Sequence, residues 1–309
     1  KVSDKSINVG HRLTAKTGDC VDLALSGAPC VIGGTSWLFS RDDIEGKLDY
    51  LFIDEGGQLS LANLLSISRA AKNIIILGDC QQLEQPIQAA HPEGADLSAL
   101  EYIQGDHATI PEDRGIFLDK TYRLNPEICK FNSELFYESR LIATKGNEAQ
   151  VITGPQNLTP LMYKEVVHSG NSNYALEEVE YIDSLIGELI SNEHTYSLYD
   201  NKADDVITNV LTLEDIMVVA PYNAQVQRLK DKLPDGIEIG TVDKFQGREA
   251  PVVIFSVTSS SPEDSPRGMD FLYSQSRLNV ASSRAQCSFM MVANTEIFEA
   301  RCKSPAHMK

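Results

Sequence analysis

The stretch Tyr50-Leu51-Phe52-Ile53-Asp54-Glu55-Gly56-Gly57-Gln58 decides the fold. Its apolar half is a continuous run, which is typical of a strand buried in a parallel sheet. Two acids at the carboxyl end of such a strand lie where open α/β sheets bind their ligands. In a nucleoside triphosphatase the first acid holds Mg²⁺ and the second activates the attacking water, so we predict these roles for Asp54 and Glu55. The alternative is a strand that ends in a solvated turn.

A second strand follows at the distance expected for a β–α–β unit. The apolar run 73–77 ends at Gly78-Asp79, and the interval from Asp54 accommodates one helix over residues 59–71. Parallel strands joined by a helix present their carboxyl ends at one edge of the sheet. Asp79 is therefore expected near the Asp-Glu pair. The side chain of Gln82 is suited to hydrogen-bond a terminal phosphate or the attacking water.

The segment before these strands allows two interpretations. Residues 28–32 predict a short strand, and the turn Gly33-Gly34-Thr35-Ser36 follows it. Such a turn offers backbone N–H groups and hydroxyls to a phosphate. It is equally suited to cap a helix that begins at Ser36.

The rest of the chain alternates between helical and strand patterns. A short helix is expected near residues 97–103 and another from Pro126. Residues 174–191 form an amphipathic helix, and 191–213 are expected to be a surface loop. Further strands are predicted at 216–220, 237–242, 252–257 and 288–293, with helices up to 233 and over 276–285. We therefore predict an α/β fold with two parallel-sheet domains, residues 1–118 and 119–309, the first of them truncated at its N-terminus.

Composition limits the function classes. The chain has 309 residues and a formal charge of −17, which argues against a generic polyanion-binding surface. Eleven acids against one lysine fall within residues 171–215, so any nucleic-acid groove must be local. The sequence has no apolar run of membrane-spanning length, and its six cysteines form no CxxC pair. We expect a reducing, intracellular and cytoplasmic location with no membrane partner.

Five ordered segments resemble the motifs of superfamily 1 helicases of type B, the Upf and Dna class. The segments are Asp54-Glu55-Gly56-Gly57-Gln58, Gly78-Asp79-x-x-Gln82-Leu83, Tyr122-Arg123-x-Asn125-Pro126, Gly240-Thr241-Val242-Asp243-x-Phe245-Gln246-Gly247-Arg248-Glu249 and Arg277-Leu278-Asn279-Val280-Ala281-x-Ser283-Arg284-Ala285. The stretches 91–96 and 110–115 are similar to bacterial proteins that fuse a RecB-like nuclease to such a helicase. The resemblance implies two RecA-like domains.

The resemblance also implies roles in ATP hydrolysis. Asp54 would hold Mg²⁺, Glu55 would activate water, and Gln82 would sense the γ-phosphate. Arg123 and Arg284 would be arginine fingers, because planar guanidinium groups make bidentate contacts with phosphoryl oxygens. The remaining nucleotide contacts would come from Tyr122 on the adenine, Glu249 on the ribose, and Gln58, Asp79 and Gly247.

Each assignment has a structural alternative. Tyr122 is also consistent with a core aromatic, Arg123 with a surface ion pair, and Glu249 with a solvated acid. Arg277 lies on the same predicted helix face as Arg284, and a salt bridge is its expected role.

For nucleic acid, the resemblance implies single-strand contacts, with DNA expected and an upstream nuclease domain in the same polypeptide. The contact residues would be Thr35, Tyr222, Asn223, Gln225 and Thr241. Hydroxyls and amides suit sequence-independent phosphate contacts, and an aromatic ring stacks on bases. Thr and Asn at strand ends are also common caps and turn formers.

A phosphate-binding loop of the form GxxxxGK[ST] is absent from the sequence. The Gly46-Lys47 pair is followed by Leu48, and position 41 is arginine. We therefore expect this loop upstream of residue 1, and negligible ATPase and unwinding activity from the chain alone. The first hypothesis is the C-terminal motor part of a 5′→3′ DNA helicase in DNA repair or processing. The second is a non-catalytic module, derived from such a motor, that binds nucleic acid or a partner.

Overall fold

The computed structural model describes residues 17–27, 29–83, 97–155, 158–191 and 193–299. The chain divides into two compact units, and the chain passes from the first to the second between Cys80 and Gln81. The first unit comprises the described residues up to Cys80 together with 97–106. The second comprises 81–83 and the described residues from His107 onward. None of the helices in these ranges is long and apolar enough to cross a membrane.

The first unit is built on two parallel strands, β1 (Leu48–Ile53) and β2 (Ala71–Ile76). The helices of this unit are α1 (Thr17–Leu25), α2 (Ser36–Phe39), α3 (Leu61–Ser68) and α4 (Ala99–Gln104). Its core cluster includes Leu38, Ile44, Leu51, Ile53 and Ile67. The predicted β–α–β unit is confirmed. The predicted strand at 28–32 is wrong: no strand forms over residues 29–35, and Val31 is fully exposed, so no apolar surface is available to hold it there.

The second unit carries a five-stranded parallel sheet, which confirms the predicted α/β fold with RecA-like parallel sheets. Its strands are β6 (Leu161–Glu165), β9 (Ile216–Ala220), β10 (Glu238–Thr241), β11 (Ala250–Ser256) and β12 (Ala285–Ala293). They lie in the order β10-β9-β11-β12-β6 across the sheet. Its helices are α5 (Pro126–Phe136), α6 (Leu176–Ser191), α7 (Asn223–Lys232), α8 (Met269–Leu272) and α9 (Gln275–Ser282). Strands β9 and β11 are buried along their whole length, which explains their continuous apolar sequence.

Two smaller sheets complete the second unit. Strands β3 (Lys120–Thr121) and β4 (Ile142–Ala143) pair in parallel. Strands β5 (Val151–Thr153), β7 (Thr195–Asp200) and β8 (Asp205–Val210) form an antiparallel sheet. The expected surface loop at 191–213 is therefore wrong over β7 and β8. Its polar residues face solvent from β8, which is exposed throughout, while β-branched Val206, Ile207 and Thr208 favour the extended conformation.

The unit boundary differs from the predicted one at 118/119 because residues 107–118 pack on the second unit. Thr109 donates its hydroxyl to the carboxylate of Glu138, and Arg140 donates to the hydroxyl of Thr109 at 2.6 Å. The Arg140 guanidinium also lies 4.7 Å from the ring centroid of Phe117. Residues 81–83 belong to the second unit as well, and their contacts are described with the site.

A buried polar network orders the residues after β11. Glu178 and His168 have fully buried side chains whose Oε1 and Nε2 atoms lie 3.1 Å apart. The Glu178 carboxylate also accepts from the Ser256 hydroxyl and from the backbone N–H of Thr258. Burial raises the pKa of Glu178. Thr258 has a φ of 80°, a strained value for a β-branched residue, so the Glu178 carboxylate stabilises a backbone conformation that the sequence disfavours.

Cysteine reactivity is expected to report the packing of the second unit. Cys129 and Cys287 are buried in its two apolar clusters, and burial raises their pKa values to about 11 and about 12. Because the thiolate is the reactive species, both should resist iodoacetamide at pH 8 until the unit unfolds. Exposed Cys30 is the internal control and should react in the folded protein. Peptide mapping checks this, and labelling of Cys129 or Cys287 at the rate of Cys30 would contradict the packing.

Candidate active site

The Asp54-Glu55 pair lies at the carboxyl edge of the first sheet, as predicted. Ile53 pairs with Ile76 in the parallel register, so the ends of β1 and β2 are level. The backbone N–H of Gly56 donates to the carbonyl of Leu77 at 2.7 Å, which ties the two strand ends together. Glu55 has a φ of 55°, an uncommon value that points to a constrained turn. Both acids are exposed, and Asp54 Oδ1 accepts from the N–H of Glu55 at 3.0 Å.

The two glycines after the acids are required by close packing. A Cβ atom on Gly56 would lie 2.2 Å from Ile76 Cγ2, and one on Gly57 would lie 2.8 Å from the carbonyl oxygen of Asp79. Residues 76–79 occupy the space that Cβ atoms at positions 56 and 57 would need. Asp79 is thereby held beside the acid turn. Gln58 closes the same turn through its N–H, which donates to the carbonyl of Glu55 at 2.8 Å.

Alanine at position 56 should destabilise the first unit. Its methyl group would overlap a β-branched side chain, and overpacking of this kind costs about 1–3 kcal/mol. Gly33→Ala is the matched control, because a Cβ atom there meets nothing within 4 Å. Thermal unfolding of the purified chain measures both changes. Equal unfolding temperatures for the two variants would show that the turn accommodates the methyl group.

Mg²⁺ suits the residues present at this edge. No group of three or more His, Cys, Asp or Glu side chains in the described ranges is arranged to hold a metal ion. Mg²⁺ commonly keeps several waters and binds through one or two carboxylates plus the phosphates of its nucleotide. The exposed Asp54 carboxylate fits that requirement as one ligand.

The second unit brings four predicted site residues into one network. Arg284 Nη2 donates to Gln82 Oε1 at 3.4 Å. Arg123 Nε donates to Glu249 Oε2 at 2.5 Å. Ser283 joins the two arginines, since its carbonyl accepts from Arg123 at 3.4 Å and its hydroxyl accepts from Arg284 at 3.1 Å. The network therefore unites residues from four of the five motif segments.

Packing fixes the position of each guanidinium differently. Arg284 is 2% exposed, and main-chain carbonyls of Val280 and Arg248 accept from its Nε and Nη1. This cradle holds a buried cation in one orientation. The side chain of Arg123 is 35% exposed and is anchored by one carboxylate, so it is free to exchange that partner for another anion.

Gln82 reaches this network because residues 81–83 pack on the second unit. Asn279 Nδ2 donates to the carbonyl of Gln81 at 2.9 Å, and Gln81 Nε2 donates to the carbonyl of Ala108 at 2.9 Å. Leu83 joins the apolar cluster that contains Leu124 and Phe245. These contacts bring Gln82 of the 78–83 segment to an arginine 202 positions later in the chain.

The other predicted nucleotide residues lie around the same network. Tyr122 is 59% exposed, so it is not a core aromatic. Gly247, with a φ of 75°, and Glu249 line one cleft together with Met217, Glu238 and Arg248. Glu249 is not merely solvated: besides Arg123 it accepts from Gln286 Nε2 at 3.2 Å. Sequence reasoning missed Gln286, whose position directly after the Arg284-Ala285 pair was the available signal.

The predicted nucleic-acid residues divide into exposed and buried sets. Thr35 and Asn223 are exposed, and Thr241 is half-buried at the end of β10. Gln225 is fully buried and bonds to the backbone of Ala175 and the hydroxyl of Ser256. Tyr222 is 6% exposed, and its ring packs on Phe271 with centroids 5.5 Å apart. In this structure Gln225 and Tyr222 therefore support the second unit from within, and neither presents a free surface to a nucleic acid.

The remaining expectations concern Arg277 and the stretch 91–96. Arg277 forms the expected salt bridge, with its Nη1 3.3 Å from Asp243 Oδ2. The stretch 91–96, on which the similarity to nuclease–helicase fusions partly depends, lies outside the described residues.

Comparisons with known proteins identify the family of the chain. A family model described as an AAA domain matches residues 95–296. DNA polymerase alpha-associated DNA helicase A of Schizosaccharomyces pombe is 28% identical over 81% of this chain and 37% of its own length. Helicase sen1 of the same organism is 30% identical over 80% of this chain and 14% of its own length. The chain thus spans well under half of these curated relatives.

A solved helicase structure from PRRSV is a more distant likeness. It is 17% identical and covers 79% of this chain and 34% of its own, with a TM-score of 0.38. The family assignment depends on the matched AAA domain and on the helicase relatives. The chain belongs to this AAA domain family and to the superfamily 1 helicases.

Proposed function

We propose that this chain is the motor part of an ATP-dependent helicase, which couples ATP hydrolysis to movement along a single strand of nucleic acid. The observation that carries the proposal is the network of Gln82, Arg123, Arg284 and Glu249. Two guanidinium groups and an amide at one place suit a phosphoryl group that gains negative charge in its transition state.

Each residue has a role that its surroundings support. Mg²⁺ bound with ATP would neutralise phosphate charge, with Asp54 as its protein ligand. Glu55 accepts a proton from the attacking water, and Gln82 orients that water or contacts the γ-phosphate. Arg284 offers a fixed cation, while Arg123 leaves Glu249 for the phosphate. Glu249 is then free to accept a hydrogen bond from the ribose, and exposed Tyr122 is available to pack on the adenine.

We further propose the finer assignments that the motif resemblance implies. These are type B classification, 5′→3′ movement on single-stranded DNA, a role in DNA repair or processing, and fusion to an upstream nuclease domain. The helicase relatives support nucleic-acid binding in general. The cysteine pattern supports a reducing compartment, and we propose the cytoplasm.

The missing phosphate-binding loop gives the proposal its first experiment. ATP turnover is measured for the 309-residue chain and for a longer polypeptide that includes a GxxxxGK[ST] loop N-terminal to it, each with and without single-stranded oligonucleotides. We expect negligible turnover by the chain alone and stimulated turnover by the longer polypeptide. Stimulated turnover by the chain alone would overturn the inactivity proposal. No turnover by either would favour the non-catalytic binding module.

A further inference from the structure

Two arginine side chains of the second unit pack on the ring of Phe271. The guanidinium carbon of Arg267 lies 3.8 Å from the ring centroid of Phe271, and that of Arg277 lies 4.3 Å from it. The ring of Tyr222 packs on the same phenylalanine. We call Arg267, Phe271 and Arg277 the Phe271 cluster. Neither the nucleotide network nor the motif resemblance assigns Arg267 or Phe271 a role.

The cluster lies at the carboxyl edge of the five-stranded sheet. Strands β10, β9 and β11 are parallel neighbours, so their carboxyl ends share one edge. Tyr222 follows β9, and Asp243, which pairs with Arg277, follows β10. The segment that carries Arg267 and Phe271 follows β11. The cluster therefore joins the segments that contain Asn223 and Thr241, two of the predicted nucleic-acid residues.

The arginines retain donors for an anion. Arg267 is exposed and forms no ion pair with a carboxylate in the described part of the chain. Arg277 pairs with Asp243 at 3.3 Å; the arginine side chain is 19% exposed and the aspartate side chain is 59% exposed, so an anion would reach this guanidinium from the side of the aspartate. A guanidinium stacked on a ring keeps its N–H donors at its edge, where they can make bidentate contacts with a phosphate.

The charge of the Phe271 cluster is opposite in sign to the net charge of the chain. With a net charge of −17, the protein offers polyanions little general attraction. Two arginines held on one ring provide a local cationic site of fixed geometry. Buried Tyr222 acts beneath it as a support, because its ring contacts Phe271 and its hydroxyl lies 2.9 Å from Ser265 Oγ.

We propose that the Phe271 cluster binds the phosphodiester backbone of a single-stranded nucleic acid. Arg267 and Arg277 contact phosphates, and Phe271 holds the two guanidinium groups in position. This inference rests on the proposed function, since it names a contact surface for the same strand. DNA and RNA share this backbone chemistry, and the test includes both.

The test is fluorescence anisotropy with labelled oligothymidylate and oligouridylate of about 15 nucleotides, a length near the range of single-strand binding sites. The purified chain, Arg267→Gln, Arg277→Gln and Phe271→Leu are titrated at several salt concentrations. Each lost phosphate contact lowers the slope of log K against log salt by about 0.7, which is roughly a fivefold weaker affinity at 0.1 M salt. We expect this loss for each arginine variant, and a comparable loss for Phe271→Leu.

Arg228→Gln is the matched control, because Arg228 makes the same type of contact with a different ring, 5.3 Å from the centroid of Tyr174. It removes the same charge and should leave the salt slope unchanged. Thermal unfolding identifies any variant whose fold is lost. Unchanged affinity in Arg267→Gln and Arg277→Gln, with wild-type binding intact, would overturn the proposed role of the cluster but not the proposed function. Equal losses in the control would also overturn it. No binding by the wild type would overturn both the cluster and the nucleic-acid part of the proposed function.

Discussion

Replacing Arg123 by glutamine is expected to lower the kcat of nucleic-acid-stimulated ATP hydrolysis by about 10³-fold or more, measured in the longer polypeptide that includes a GxxxxGK[ST] loop N-terminal to this chain. The guanidinium is the group that would meet charge developing on the γ-phosphoryl oxygens. Glutamine keeps a polar side chain but lacks the positive charge and the fork of donors. The fold should survive, since the Arg123–Glu249 pair is partly exposed and such pairs stabilise little.

Arg69→Gln is the matched control for this prediction. Arg69 also pairs with a glutamate, Glu45, and its side chain is 56% exposed. Its guanidinium donates to Glu45 and Asp42, and it belongs to none of the five motif segments. Hydrolysis by Arg69→Gln should stay within a few-fold of wild type. Near-normal hydrolysis by Arg123→Gln, or an equal loss in both variants, would remove the finger assignment.

The second large effect is expected on stability. Glu178→Leu keeps the side-chain volume but leaves His168, the Ser256 hydroxyl and the Thr258 N–H without their acceptor. Each buried donor left without an acceptor costs about 1–3 kcal/mol, and the strained φ of Thr258 would lose its stabilising contact. Urea unfolding of the purified chain, followed by circular dichroism, measures the loss.

The adjacent residue provides the control. Glu177→Leu makes the same chemical change on the exposed side of α6, where the carboxylate accepts from Asn171 Nδ2. We expect its free energy of unfolding to change by about 0.5 kcal/mol or less. A similar small change in Glu178→Leu would mean that the buried network contributes little to folding.

The buried network also gives stability a pH dependence. Because burial raises the folded pKa of Glu178 above its unfolded value, its contribution is complete below the unfolded pKa. That contribution is lost as pH rises through the folded pKa. Glu178→Leu should therefore weaken the decline in unfolding free energy above the ordinary range of carboxyl groups.

The strand–helix series was readable from the sequence because the central strands β9 and β11 of the second sheet are buried along their whole length. Runs such as 216–220 carry no alternation, and continuous apolar sequence of this length has one common structural solution. The β7–β8 hairpin was missed because its strands lie at the surface, so hydrophobic periodicity was absent from β8. Composition alone does not separate such a hairpin from a loop.

The sequence predicted which residues form the site, but it did not show which of them contact one another. The motifs identified Arg123, Arg284 and Gln82. The pairing of Arg123 with Glu249 joins residues 126 positions apart, so it could not be inferred from the sequence. The sequence also could not predict whether the side chains of Tyr222 and Gln225 are buried or exposed. Both residues follow a strand end, where the sequence is compatible with an exposed or a buried side chain. Tyr222 is buried because its ring packs on Phe271, and Gln225 is buried because it bonds to the backbone of Ala175.

The central claim is that this chain carries the water-activating base and the arginines of an ATP-driven motor. Its most direct test is single-strand-stimulated ATP turnover by the longer polypeptide, compared between wild type and Glu55→Gln. Glu55 is exposed, and glutamine matches its shape, so the fold and ATP binding should persist. We predict that turnover falls by about 10²- to 10⁴-fold, the usual contribution of a general base. Turnover near the wild-type rate would contradict the claim.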